Sequence, residues 1–247
     1  MKKSLITLLL SIVLLTATVK AQDAFETQMK VYTSALKYYD LNVAASALYN
    51  AMALKPDRKD LRDSLALIYF AGEHYGQAYT VGEEILKDNP KRSDILEMVA
   101  VSKQSLGLIK ESLEDYEVLY KADSKQIFYL YQIATLQYQL KRYGECVASL
   151  DQIIGNEASA KQNVNIRNSN GTSQSVPMKA AALNVKGIVA VDLGKEADAK
   201  GFFNQALQIF PDFALAKGNL ASLAQKDTKS TGSPAKAATP APRPAGK

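Results

Sequence analysis

The residue types that attack substrates or hold metal ions are scarce in this sequence. Its 247 residues include one histidine, His74, and one cysteine, Cys146, which lie 72 positions apart. A nucleophilic thiol needs a base within hydrogen-bond reach, and a zinc site needs several Cys or His ligands. We therefore expect His74 to be an exposed turn residue and Cys146 to be a buried, inert thiol.

Carboxylates are the remaining candidates for catalysis. A pair of carboxyl groups hydrolyses the glycosidic bond in most glycosidases. Asp60, Asp63, Asp94 and Glu97 are expected close enough together for such a role. The alternative is that they lie in the first turns of helices, where the helix macrodipole stabilises negative charge. Since no glycine-rich phosphate loop or metal-ligand motif occurs, we predict a non-catalytic protein without a cofactor or metal.

The first 21 residues have the pattern of a secretory signal peptide. Lys2 and Lys3 precede an apolar run over residues 5–15, and Val19-Lys20-Ala21, small or modest in size, precede Gln22. This pattern predicts cleavage before Gln22 and export to the periplasm or cell envelope, or secretion, with no transmembrane span left after cleavage. The alternative is an uncleaved anchor, although the run is shorter than the roughly 20 residues of a membrane span.

The positive charge of the chain lies mostly at its two ends. The net charge is +5, but residues 1–21 contain three lysines and residues 227–247 carry a surplus of three positive charges, which leaves −1 for residues 22–226. A nucleic-acid binder needs a basic face, so we expect no nucleic-acid partner. The segment 227–247 is rich in Pro, Ala and Lys and is predicted to be a disordered tail.

The elements that must position these residues follow from an internal repeat. The stretch "ALYNAMALKPD", residues 47–57, returns as "FFNQALQIFPD", residues 202–212, and Pro56 and Pro90 lie 34 residues apart. Three steps of 34 from Ala44 fall on small residues, and the last unit has Ala199 at the same position. The residue twelve positions earlier is also small in every unit except the first. Apolar residues follow on the same helical face, as a buried stripe requires. The small residues are Ala44, Ala78, Ser112, Cys146 and Ala199, and their earlier partners are Tyr32, Ala66, Ala100, Ala134 and Gly187.

The repeat is interrupted once. Pro56 and Pro211 lie 155 residues apart, which is four periods of 34 plus 19 inserted residues. The insertion falls in residues 155–177, where apolar and polar residues alternate on both sides of Asn170 and Gly171, a strong tight-turn pair. We predict a short β-hairpin or an ordered loop there, with Pro177 opening the next helix. The Asn-Gly-Thr sequence at Asn170 has the form of a glycosylation site, but we interpret it as part of this turn.

A period of 34 with small residues at the helix contacts resembles the tetratricopeptide-repeat family. The resemblance covers residues 25–212 and implies an all-α, right-handed superhelical solenoid of about five helix-turn-helix units. A capping helix near residues 213–225 follows. We therefore divide the chain into a signal peptide (1–21), a solenoid (22–226, with the insert 155–177) and a tail (227–247). Single glycines near the turns are expected in the left-handed conformation; they are Gly107, Gly144 and Gly194.

The family resemblance also implies a function and a site. Repeats of this kind bind peptides or helices of other proteins in a concave groove lined by the first helix of each unit. The groove positions carried over by register are Asp60, Asp63, Leu67, Phe70, Asp94, Glu97, Val101, Phe128, Tyr131, Tyr138 and Asn184.

These positions predict the chemistry of the partner. Chaperone-binding members of the family hold a terminal carboxylate with lysines and asparagines, and no lysine or arginine stands at these positions. Acidic residues followed by aromatic ones favour a segment with basic and apolar residues instead. The sequence therefore predicts a non-catalytic adaptor or scaffold of the periplasm or cell envelope. The alternatives are an obligate subunit of an outer-membrane or surface-organelle assembly and, less favoured, a glycan hydrolase.

Overall fold

The computed structural model describes residues 22–168 and 171–231. The predicted signal peptide, Asn170 of the hairpin turn and most of the predicted tail lie outside the described residues. The chain forms two compact units, of which the first ends at Gln132 and the second begins at Ile133. None of the described helices combines the length and the apolarity that crossing a membrane requires.

The first unit consists of successive helix-turn-helix pairs joined by short turns. Phe25 and Ala35 of the first helix are buried with Leu48 of the second and Leu61 of the third, so each helix shares a core with the next pair. The same arrangement continues along the unit, where the third, fourth, fifth and sixth helices pack in succession. The helices are α1 (22–37), α2 (Leu41–Leu54), α3 (Asp60–Ala71), α4 (Tyr75–Asp88), α5 (Ser93–Ser105), α6 (Ile109–Ala122) and α7 (Ile127–Gln139), which continues into the second unit.

The second unit contains the inserted segment between two helix pairs. Its last helix overlaps the first five residues of the predicted tail, because it continues to Thr231. Its elements after α7 are α8 (Tyr143–Gly155), a 3-10 turn (Glu157–Ala160), β1 (Asn163–Arg167), β2 (Ser173–Pro177), α9 (Met178–Asp192), α10 (Glu196–Ile209) and α11 (Ala214–Thr231).

The register of small residues is confirmed. The small residues on the second helices of the pairs are fully buried, and so are the apolar residues that follow them by four positions. Tyr32, the expected exception, is half-buried against the core of the first pair. Cys146 is buried and its pKa is raised to about 11 by desolvation, whereas His74 is exposed at the start of α4, as expected.

The predicted hairpin is present and is hydrogen-bonded to the segment where α11 begins. β1 and β2 pair antiparallel, with Val164 opposite Val176, and both side chains are buried. The side chain of Gln174 donates to the carbonyl of Asp212 (2.6 Å) and accepts from the backbone N–H of Ala214 (3.1 Å) at the start of α11. Pro177 is the N-cap of α9 rather than its first helical residue.

Left-handed residues close the turns within the helix pairs, at the period of the repeat. In each turn the next residue donates a backbone hydrogen bond to a carbonyl five positions earlier, as from His74 to Tyr69, which is the Schellman pattern. The expectation for Gly107 and Gly194 is confirmed, but the one for Gly144 is wrong. Gly144 lies inside α8, and Lys141 takes the left-handed position with φ 57°. The left-handed residues are Tyr39, Glu73, Gly107, Lys141 and Gly194.

Candidate functional site

One face of α3 and α5 carries seven of the predicted groove positions. Both helices are fixed from the opposite side, where Leu61 and Leu65 of α3 and Ile95 of α5 are almost fully buried. A helix that buries one stripe presents the other stripe outward. The outward stripe, which we call the α3–α5 face, consists of Asp60, Asp63, Leu67, Phe70, Asp94, Glu97 and Val101.

The carboxylates of this face are paired with arginines. Arg58 bonds both oxygens of Asp60, and Arg92 bonds both oxygens of Asp94, at 2.7–2.9 Å. Arg92 also donates to Asp63 at 2.7 Å, so that it joins the first turns of α3 and α5. These guanidinium groups hold the pKa values of the Asp60 and Asp94 carboxyls below their usual range.

Sequence reasoning missed both arginines, although the sequence contained the signal. Arg58 and Arg92 are separated by the repeat period of 34, and each stands two residues before its aspartate. The same Arg–Asp pair therefore occurs twice, at the start of α3 and at the start of α5. The acidic positions alone predicted an acidic cluster, whereas in the folded chain these aspartates form ion pairs with the arginines.

A cleft of about 350 Å³ lies beside these ion pairs. In it Arg62 and Lys59 both bond Asp88, at 2.5 and 3.2 Å, and hold the pKa of that carboxyl below its usual range. Cations and anions are balanced around the cleft, so it has no strong preference for a ligand of either sign. The lining residues are Lys59, Asp60, Arg62, Asp63, Ile85, Asp88, Asn89 and Arg92.

The apolar part of the α3–α5 face has one exposed side chain. Leu67 is 57% exposed, a large fraction for a leucine in the middle of a helix. Phe70 and Val101 are half-buried, and the ring of Phe70 meets Tyr75 edge-on. Leu67 and Phe70 lie one turn apart on α3, and Val101 stands one repeat after Leu67 on α5, so we call these three residues the apolar strip. Leu67 is its exposed member, because Phe70 also packs against the core cluster around Ile95.

Glu97 has a different partner from the three aspartates. The hydroxyl of Tyr129 donates to Glu97 Oε2 at 3.0 Å, and burial together with this bond raises the pKa of Tyr129 to about 12. Sequence reasoning missed Tyr129 because it lies 32 residues after Glu97, two short of the repeat period. The predicted groove residue Phe128 is half-buried, with its ring beside Tyr129.

The remaining predicted positions are less accessible. Burial raises the pKa of the half-buried Tyr131 to about 12. In the second unit, the Tyr138 hydroxyl donates to Asp192 at 3.0 Å, and Tyr143 donates to the same oxygen. Asn184 is buried, which is not what a groove position requires.

Asn184 lies inside the second unit because α11 covers it. Its side chain is 3% exposed, and its Oδ1 accepts from Asn219 Nδ2 of α11 at 3.0 Å. The register placed Asn184 on the first helix of its unit but did not include a following helix that packs over it. Asn219, rather than Asn184, is therefore the accessible amide at this place.

Asp60 and Asp94 do not have the electrostatics of the general acid of a glycosidase. A glycosidase needs one carboxylic acid with a raised pKa. In Asp60 and Asp94 the shift has the opposite sign, because arginines stabilise the charged form. Among the residues that the structure describes, no group of three or more His, Cys, Asp or Glu side chains is placed to hold a metal ion.

Solved structures identify the fold. YrrB, described as a tetratricopeptide-repeat protein with an unusual peptide-binding site, matches with a TM-score of 0.61 and 14% identity, over 85% of this chain and 96% of its own. A tetratricopeptide repeat protein from Parabacteroides merdae matches with a TM-score of 0.66 and 20% identity, over 85% and 75%. MamA matches with a TM-score of 0.59 and 9% identity, over 76% and 92%.

Sequence comparisons find no match for this chain, whereas structure comparisons do. No protein-family model matches the chain, and no curated protein matches it. The likeness to the solved structures is therefore a likeness of fold at low identity.

Proposed function

The chain has the fold of the tetratricopeptide-repeat family, and from this premise we propose that it is a protein-interaction adaptor that binds a peptide or helix of a partner on its α3–α5 face. The observation that carries the proposal is the exposed Leu67, which lies one turn from Phe70 on α3 and one repeat before Val101 on α5. Exposed apolar side chains with a polar rim are typical of binding surfaces. The peptide-binding site in the description of YrrB supports the proposal by analogy of fold.

The charged groups of the face give the partner its orientation rather than most of its affinity. Asp60 and Asp94 keep more than half of their side-chain surface exposed while paired, and a carboxylate accepts several hydrogen bonds. A lysine or arginine of the partner joins these carboxylates at the rim, where an ion pair contributes little free energy. The apolar residues of the partner cover Leu67 and Val101.

We further propose that the adaptor works in the periplasm or cell envelope. This part rests on residues 1–21, whose two lysines and apolar run have the pattern of a signal peptide. Cell fractionation of the tagged full chain, with the N-terminus of the product sequenced, tests it. Product beginning at Gln22 in the periplasmic fraction is the expected result, and unprocessed product in the cytoplasm contradicts it.

Partner binding is tested by introducing a charge at either of two equally exposed apolar positions of the first unit, Leu67 and Val118. The purified full-length protein captures partners from envelope extract, and each captured protein is then purified and titrated. Leu67→Asp is expected to weaken binding at least tenfold, because it places a charge in the apolar strip. Val118→Asp on α6 is the control, since Val118 is 58% exposed and Leu67 is 57% exposed.

The outcomes separate the proposal from its rivals. Equal binding by Leu67→Asp, Val118→Asp and the parent protein would show that the partner uses another surface. A protein that is insoluble alone and soluble only with its captured partner would indicate an obligate subunit instead of an adaptor.

A further inference from the structure

The second unit contains a small cavity that the predicted groove positions did not include. It measures about 100 Å³ and lies among α9, α10 and α11. Small-molecule sites measure roughly 300–1,000 Å³, so this cavity has room for one side chain rather than for a whole ligand. Its lining residues are Ile188, Val191, Phe203, Asn219, Ser222 and Leu223.

The lining changes from apolar to polar between the floor and the mouth. Phe203 and Leu223 are almost fully buried and form part of a core cluster, against which Ile188 and Val191 are packed as half-buried walls. Asn219 is half-buried and Ser222 is exposed. A charged side chain would be desolvated on the floor without a partner, which excludes lysine, arginine, aspartate and glutamate as occupants.

Water is a poor occupant of this cavity. A buried water makes about three hydrogen bonds, and the lining offers side-chain groups only on Asn219 and Ser222. The Ser222 hydroxyl already donates to the carbonyl of Gly218 at 2.9 Å. Replacing such weakly held water by an apolar group gains affinity.

Asn219 is held in position for a backbone contact at the mouth. Its Nδ2 donates to Asn184 Oδ1 at 3.0 Å, which fixes the plane of the amide. A side-chain amide has two donors and two acceptor lone pairs, so this bond uses one part of its capacity. The buried Asn184 therefore has a role: it orients the amide that stands at the rim.

We propose that this cavity is an anchor site for one aliphatic side chain, Leu, Ile or Met, of a partner peptide whose backbone hydrogen-bonds Asn219. The inference rests on the proposed function, because it supplies part of the specificity of a peptide-binding adaptor. An aromatic or aliphatic anchor in a pocket, with a polar rim around it, is a typical centre of a binding interface.

The chain's own C-terminal segment is a weaker candidate for the same cavity. It continues from α11, which contributes three lining residues, so it starts nearby. Residues 232–247, however, contain no Leu, Ile, Val, Met or Phe. The size and lining of the cavity favour a larger aliphatic group than this segment offers.

The test uses single blocked amino acids, so it requires no knowledge of the partner. ¹⁵N-labelled full-length protein is titrated with N-acetyl-leucine methylamide and, in parallel, with the alanine and lysine analogues. We expect the leucine probe to shift the amide signals of residues around Ile188, Asn219 and Ser222, with a millimolar dissociation constant. The alanine probe is expected to bind at least fivefold more weakly, and the lysine probe not to shift these signals.

Two substitutions on α11 complete the test. Ser222→Leu is expected to fill the mouth and abolish the leucine-specific shifts, while Ala221→Leu, at an exposed neighbouring position, is expected to retain them. Equal shifts with leucine and alanine, or unchanged binding by Ser222→Leu, would overturn the proposal. So would leucine binding that appears only after residues 232–247 are deleted, because the chain itself would then be the occupant.

The test of the cavity and the test of the α3–α5 face can fail separately. Leu67 lies in the first unit, and its variant reports on partner binding, whereas the probe titration reports on the cavity alone. A cavity that binds leucine in a protein whose Leu67→Asp variant keeps its partner would refute the proposed face and leave the anchor site standing.

Discussion

Gly187 of α9 lies directly against the ring of Phe203 on α10. A Cβ added to Gly187 would lie 2.7 Å from Cδ1 and 2.9 Å from Cζ of that ring, which is closer than real Cβ atoms approach. Phe203 is fully buried, so its ring can relieve this clash only by moving into the small cavity that it lines, which disturbs its packing. The repeat needs a small residue here because the two helices of the pair cross at this point.

Gly187→Ala is therefore expected to destabilise the protein. Overpacking costs about 1–3 kcal/mol, and it outweighs the gain of up to about 1 kcal/mol from replacing glycine in a helix. The measurement is the free energy of unfolding in urea. The matched control is Gly201→Ala on α10, where a Cβ would meet no atom within 4 Å, and it is expected to stabilise by about 0.5–1 kcal/mol. If both variants shift stability in the same direction, the close approach at Gly187 is not what constrains that position.

The left-handed turn residues provide a second test of stability, in which a substitution to glycine is expected to stabilise the protein. Glu73 has φ 57° without being glycine, at the position that Gly107 occupies one repeat later with φ 80°. Because a left-handed residue with a Cβ costs about 1–2 kcal/mol, Glu73→Gly is expected to stabilise by about 0.5–1 kcal/mol after the entropy of the unfolded chain is counted. Gly107→Ala should destabilise by about 1 kcal/mol, as judged by thermal unfolding. Gly144→Ala, within α8 at negative φ, serves as the control and should not destabilise.

The error at Gly144 shows where sequence reasoning was reliable and where it was not. The period of 34 located every helix pair and the 19-residue insertion, because small residues at helix contacts are required by packing. The left-handed residues also recur at this period, but we expected them only at glycines, whereas Glu73 and Lys141 take the left-handed position without being glycine. The period therefore predicts where the turns lie, while residue type alone does not identify the left-handed residue.

The candidate site remains a prediction, and the structure adds partners that the sequence reasoning did not include. The register assigned Asp63 and Leu67, now on α3, and Glu97, now on α5, to the groove. It did not include Arg92 and Tyr129, because neither stands at a groove position, yet both bond groove carboxylates. Charge balance on a repeat surface depends on residues from turns and neighbouring helices, which a reading of one face leaves out.

A buried lysine links three helices of the first unit. Lys103 of α5 is 8% exposed and bonds Glu83 of α4 at 3.1 Å and Asp115 of α6 at 2.8 Å. Lys103→Met is expected to cost about 2–4 kcal/mol, because it leaves a largely buried carboxylate without its counter-ion. Lys103→Met combined with Asp115→Leu should recover part of this loss, as urea denaturation will reveal. The exposed Lys110→Met is the control, expected within about 0.5 kcal/mol of the parent.

The arginine pairs make stability depend on acid pH. The pKa values of Asp60 and Asp94 are lowered in the folded state by Arg58 and Arg92. The pairs therefore stabilise the fold above the unfolded value of about 4 and lose this contribution as the pH falls through the lower, folded-state pKa. Arg92→Met should flatten the fall in urea midpoint between about pH 4 and pH 2. The adjacent Lys91→Met removes the same charge but keeps the pairs, so an equal flattening there would contradict the assignment.

Gln174 makes the hairpin a brace for the last helix. Its amide bonds the carbonyl of Asp212 and the N–H of Ala214 in one bidentate contact, and it thereby satisfies one of the free N–H groups at the start of α11. Gln174→Ala is expected to cost about 1–2 kcal/mol and to speed hydrogen exchange in the first turn of α11. Asn163→Ala on β1 is the control, because its side chain bonds only Ser175 within the hairpin among the contacts that the structure describes. Unchanged exchange in α11 after Gln174→Ala would mean that the hairpin packs beside α11 without supporting it.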